Sequence, residues 1–167
     1  AMAADLSPYV AHVGTVGSKA LVLPGVSGDY AHTPDSVAVS VTGDLDVRCH
    51  AALDDWTPAA TTVIAAKWVG VGDLRCYAMQ VNLTGKLVLS LSSDGATYAN
   101  AISTVAPTVA DGEPLHVRAT VDVDNGASGW DAKFYTSVDG VVWSQLGATV
   151  TTATATSIFD STAALEV

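Results

Sequence analysis

The sequence predicts an all-β fold, an antiparallel β-sandwich of about a dozen short strands. Three observations predict it. Apolar and polar residues alternate with a period of two along several runs. Gly, Asp and Pro turn signals interrupt the chain every roughly 8 to 12 residues. Helix-forming surface residues are scarce: Ala, Val and Thr dominate, Glu occurs only as Glu113 and Glu166, and Lys and Arg total 7.

The clearest stretch is 115–146. Leu115, Val117, Ala119, Val121 and Val123 alternate with His116, Arg118, Thr120 and Asp122, the pattern of a strand with one wet face. After the turn signal DNGASG, Ala132, Phe134, Thr136 and Val138 alternate with Asp131, Lys133, Tyr135 and Ser137. Asp139-Gly140 then marks a tight hairpin, and Val141 to Leu146 reads as the third strand of a meander. A simple register about DNGASG sets Asp122 opposite Asp131, Arg118 opposite Tyr135 and Thr120 opposite Lys133.

The remaining elements follow in order. Residues 1–18 show no periodicity, carry Gly14 and Gly17, and read as a leader or linker; the folded domain is expected over 19–167. A short strand is expected between Gly28-Asp29 and Pro34-Asp35, and Val37, Val39 and Val41 alternate up to Thr42-Gly43-Asp44. Leu45, Val47, Cys49 and Ala51 then face one way, with Asp46, Arg48 and His50 facing the other. Next come a turn at Asp54 to Pro58, a buried-looking run from Thr61 to Trp68, and a strand from Arg75 to Leu83. Leu87, Leu89 and Leu91 follow, then Tyr98 to Ser103, and Thr-rich strands run from Thr149 to Val167. The best helix candidate, Thr57 to Lys67, is broken by adjacent Thr, Val and Ile. No repeat of 20 to 50 residues is visible.

Length and charge bound the function. At 167 residues the chain is one domain's worth of material. A net charge of −10 opposes binding to nucleic-acid phosphates or anionic lipid. No apolar run approaches the roughly 18 residues of a membrane helix, and no signal peptide is visible. Cys49 and Cys76 are expected to be free thiols on opposite faces of their strands.

The segments ALVLPGVSGDYAHTPDS, SVTGDLDVRCHAALDDWTP and TTVIAAKWVGVGDLRCYAMQVNLTGKLVLSLSSDG together resemble the laminin-G-like, concanavalin A-like jelly roll. The motifs are Gly25 to Tyr30, Thr42 to Asp44, and Thr84 to Leu87. The resemblance implies two large antiparallel sheets, and runs from about Lys19 onward. Its Ala, Val, Thr and Asp-rich style is similar to tail or decoration proteins of phages that infect actinobacteria, which implies a virion or extracellular location with assembly proteins as partners. Such domains continue for one or two strands beyond a segment like 157–167. Ending on Leu165-Glu166-Val167, the sequence is therefore expected either to lack its last strands or to leave an edge for another chain to complete.

Catalytic chemistry finds little support. Glycoside hydrolysis needs two carboxyl groups flanking the sugar; Glu113 and Glu166 are not so paired, while Asp44 and Asp46 share a face but precede Arg48. The four histidines lie apart in sequence, and no nucleophile elbow or phosphate loop is present. Calcium is the one metal with a case, through Asp122, Asp124 and Asp131 with Asn125; the alternative is that these residues supply turn chemistry. A glycan strip of Arg118, Lys133 and Tyr135 is the remaining option, to which the four Trp contribute unless they are core anchors. The expected function is a non-enzymatic module of a virion or surface protein, for assembly or host-glycan attachment. The alternative is a carbohydrate-binding module of a secreted polysaccharide-active enzyme.

Overall fold

The structure, a computed structural model, describes residues 9–11, 19–23, 30–153 and 157–167. Among them lie thirteen strands and no helix. A two-stranded ribbon pairs β1 (Tyr9–Ala11) with β2 (Lys19–Leu21), so part of the expected leader is strand. The Gly25 to Asp29 portion of the first resemblance motif lies outside the described residues.

A five-stranded sheet carries β4 (Leu45–Ala52), β9 (Pro114–Asp122) and β10 (Gly129–Ser137) side by side. Two short strands, β11 (Ser144–Gln145) and β12 (Val150–Ala153), share the far edge of β10. The six-stranded sheet runs β3 (His32–Thr33), β13 (Leu165–Glu166), β5 (Thr62–Val69), β6 (Leu74–Val81), β7 (Leu87–Leu91) and β8 (Ala99–Ile102). All pairings are antiparallel. The molecule is an all-β sandwich, compatible with a jelly roll.

The core lies between the sheets because each offers one continuous apolar face. Leu45, Leu115, Val117, Ala119, Val121, Trp130, Ala132 and Phe134 come from the five-stranded sheet, and Tyr77, Met79, Val81, Leu87, Leu89 and Leu91 from the other. The β9–β10 register is the expected one: Asp122 faces Asp131, Thr120 faces Lys133, and Arg118 faces Tyr135. The Thr84-Gly85 turn also forms as expected. Asn82 N–H donates to Lys86 O, and Gly85, at φ 74°, lies where a Cβ would stand 2.9 Å from Trp56 O.

Four expectations are corrected. Residues 37–39 form a turn rather than a strand, and Val37 is almost fully exposed. Asp35 accepts from both Ser40 Oγ and Lys67 Nζ, which folds this segment back on itself. Asp139-Gly140 makes a longer loop instead of a tight hairpin, because the Asp139 carboxylate accepts from the N–H groups of both Val141 and Val142. Alternation in β10 therefore stops early: Ser137 is buried and Val138 exposed. Residues 157–163 are not strand. Last, β13 is no open edge, since it pairs with β3 on one side and β5 on the other.

Lys67 explains how the terminal segment is held. Its side chain is 1% exposed, and Nζ donates to Asp35 Oδ1 (2.7 Å), Ser161 O (2.5 Å) and Ala163 O (2.7 Å). A buried ammonium needs all three donors satisfied, and here they are. Both cysteines are free; Cys76 is buried with Sγ 2.9 Å from Ser161 Oγ, and burial pushes the Cys49 thiol up to about 11.

Candidate functional site

The outer face of the five-stranded sheet collects the polar residues of three strands. Alternation sends Asp46, Arg48 and His50 outward from β4, His116, Arg118 and Thr120 from β9, and Asp131, Lys133 and Tyr135 from β10. Register then sorts them into rows. His50 lies opposite His116, Arg48 opposite Arg118, and Asp46 opposite Thr120.

Like charges directly across a pair repel unless a counter-charge joins them. Asp46 is that counter-charge for the Arg pair. Arg48 donates from Nε (3.0 Å) and Nη2 (2.8 Å), and Arg118 from Nε (2.9 Å) and Nη2 (2.7 Å), so one carboxylate holds two guanidinium forks. The Arg48 hydrogen bond, with help from Arg118, holds the Asp46 carboxyl down at about 2.

Aromatic rings frame these cations. The Arg118 guanidinium lies 4.9 Å from the Tyr135 ring centre and 5.9 Å from that of Trp143, and Arg48 also lies 5.9 Å from Trp143. His50 and His116 stack with ring centres 3.8 Å apart, and Trp143 meets His116 edge-on at 6.4 Å. The loop carrying Trp143 is held in place. Asp139 accepts from Val142 N–H, Val141 N–H and Ser137 Oγ, which keep its carboxyl at about 2. Gly140, at φ 71°, packs so close that a Cβ would lie 2.9 Å from His116 Cε1.

Of the expected glycan residues, the structure brings Arg118 and Tyr135 into contact, while Lys133 stands one row away. Lys133 lines an open recess of about 350 Å³ with Asp44, Asp46, Thr120, Asp122 and Asp131. Trp143 belongs to this face and remains partly exposed, whereas Trp56 and Trp130 are core anchors. Trp130 Nε1 is buried without a hydrogen-bond partner. Trp68 is partly buried elsewhere, edge-on to Tyr98.

The expected calcium ligands are engaged in local hydrogen bonds. Asp122 Oδ1 accepts from Asp124 N–H, Asp124 Oδ1 from Gly126 N–H, and Asp131 Oδ1 from Thr151 Oγ1 (2.7 Å) and Asn125 Nδ2 (3.1 Å). The Thr151 bond, then that of Asn125, lowers the Asp131 carboxyl below its ordinary value. Among the described residues no group of three or more His, Cys, Asp or Glu side chains is arranged to hold a metal ion.

Asp44 and Asp46, the candidate acid pair, have divergent tasks. Asp44 Oδ1 accepts from Val123 N–H (3.1 Å), tying β4 to the end of β9, and Asp46 is fully ionised by its two arginines. A carboxyl held at about 2 carries no proton to give at neutral pH, so Asp46 is unsuited to general-acid work.

Sequence reasoning left Arg48, His50 and His116 out of the strip, and named Trp143 only as one of four Trp that contribute if exposed. Arg48, His50 and His116 had a usable signal, the wet parity of their strands. Nothing in the sequence singled out Trp143 among the four, because its approach depends on the Asp139 loop. No protein-family model matches the chain, and no curated protein matches it.

Proposed function

We propose that this protein is a non-enzymatic β-sandwich module of a virion or other surface assembly that holds a glycan on the outer face of its five-stranded sheet. The single observation behind this reading is the juxtaposition of Tyr135 and Arg118, on the partly exposed sheet face, with Trp143 from the adjoining loop. Aromatic faces stack on the apolar side of pyranose rings, while guanidinium and carboxylate groups take the hydroxyls. The sheet holds Arg118 and Tyr135, and the hydrogen bonds of Asp139 hold the loop that brings Trp143 to them, which lowers the ordering cost of binding.

Binding of the chain to a glycan array and to isolated cell-wall polymers tests the reading. We expect retention on at least one saccharide, lost in Trp143→Ala and Tyr135→Ala with unfolding behaviour unchanged. Failure to bind any saccharide would remove the glycan reading and leave a structural role in the assembly. The same face would serve a carbohydrate-binding module of a secreted polysaccharide-active enzyme. Neighbouring coding sequence separates the two: virion structural genes support the first, a catalytic domain in the same chain the second.

A further inference from the structure

Cations are scarce in this acidic chain, yet they are concentrated on one face. Of 7 Lys and Arg residues, Arg48, Arg118 and Lys133 point outward from adjacent strands, and two of the three oppose each other across a strand pair. That placement costs repulsion, and Asp46 offsets only one of the two guanidinium charges. Each arginine spends Nε and Nη2 on Asp46; among the described residues neither Nη1 donates to a protein acceptor. The stacked pair His50 and His116 adjoins the arginines on one side. On the other, two rows along β9, stand Asp122 and Asp131. The strip is thus divided along its length, cationic and aromatic at the Trp143 end, acidic at the recess.

We infer that the glycan this face takes carries a carboxylate: a hexuronate-type saccharide whose acid group lies on the free Nη1 edges of Arg48 and Arg118, with its ring against Trp143 and its hydroxyls toward the recess. This rests on the glycan reading above and sharpens it. A planar carboxylate matches the guanidinium fork, which a neutral hydroxyl does not. A neutral saccharide would leave the uncompensated charge unanswered.

The test pairs uronate oligomers with their methyl esters, which share the backbone and lack the charge. Oligogalacturonate, oligomannuronate and glucuronate-containing oligomers are titrated against the full chain in both forms. We expect at least one free acid to bind roughly tenfold or more tighter than its ester, about the effect of one charge-assisted contact. Arg48→Gln should remove that difference, so that acid and ester bind alike, with the unfolding transition unchanged; Arg48, with its side chain 55% exposed, carries little packing to lose. Arg48→Lys should restore part of it. Equal binding of acid and ester, or binding confined to neutral glucans, overturns the inference while the glycan reading stands. Equal binding of a sulfated polymer that ignores Arg48→Gln identifies general attraction of anions and also overturns it. No binding of any saccharide overturns both.

Discussion

The two sheets of the sandwich use side chains differently. In the five-stranded sheet β9 alternates strictly, with Leu115, Val117, Ala119 and Val121 buried and the residues between them wetter. In the six-stranded sheet every residue of β7 is buried, and Ala66, Ala78 and Ser90 form a row across β5, β6 and β7 on the face away from the core. Those residues are small, and Gln80 lies over one of them by accepting from Ser90 Oγ. One sheet is therefore a scaffold on both faces, and the other is a scaffold on one face and a chemical surface on its other. Stability and recognition should separate along the same line.

The largest effect comes from the scaffold sheet. Leu89, with no exposed surface, should cost about 2 to 5 kcal/mol as Leu89→Ala through lost burial and the cavity left behind. Denaturant titration measures it, and glycan binding below the transition should persist. Lys67→Met comes next, at about 3 kcal/mol, because Ser161 O and Ala163 O lose their donor inside the protein. A null result there would show that the terminal segment is held by Ile158 and its neighbours instead.

Smaller effects should appear on the chemical surface. Gly140→Ala forces a side chain onto a positive φ and against His116. We expect about 1 kcal/mol of destabilisation with a clear loss of saccharide binding as Trp143 is displaced. Asp46→Asn tests the ion network through pH. A carboxyl lowered from 3.8 to about 2 adds stability above its ordinary value, and that stability is lost as pH falls through about 2. The wild-type protein should therefore lose stability between pH about 4 and 2, with a shallower loss in Asp46→Asn. Because the group is partly exposed, the difference stays under about 1 kcal/mol. A change as large as that of Leu89→Ala would erase the contrast between the sheets.

The same contrast decides what could be read from sequence. Where one face is wet, period-two alternation encodes both strand and register, and so the partners of Asp122, Thr120 and Arg118 were legible. Where alternation fails, the run Thr61 to Trp68 showed only that its residues are buried, and the strand it forms, Thr62–Val69, carries four consecutive buried residues. Val37, Val39 and Val41 mimicked alternation, but a long-range bond from Lys67 to Asp35 overrode the local pattern. Asp139-Gly140 carried a hairpin signal that the side chain of Asp139 redirected. The place of β13 depends on residues more than 90 positions away, which no local pattern reports.

That placement also bears on the order of assembly during synthesis. β3 is made long before its described partner β13, with Ala31 and Val167 exchanging both backbone hydrogen bonds beside the pair. A ribosome-bound chain must carry β3 unmatched and leave one side of β5 open until Leu165 emerges, a long wait for so non-local a contact. Nascent copies crowded on one messenger would be most apt to join wrongly at that side of β5.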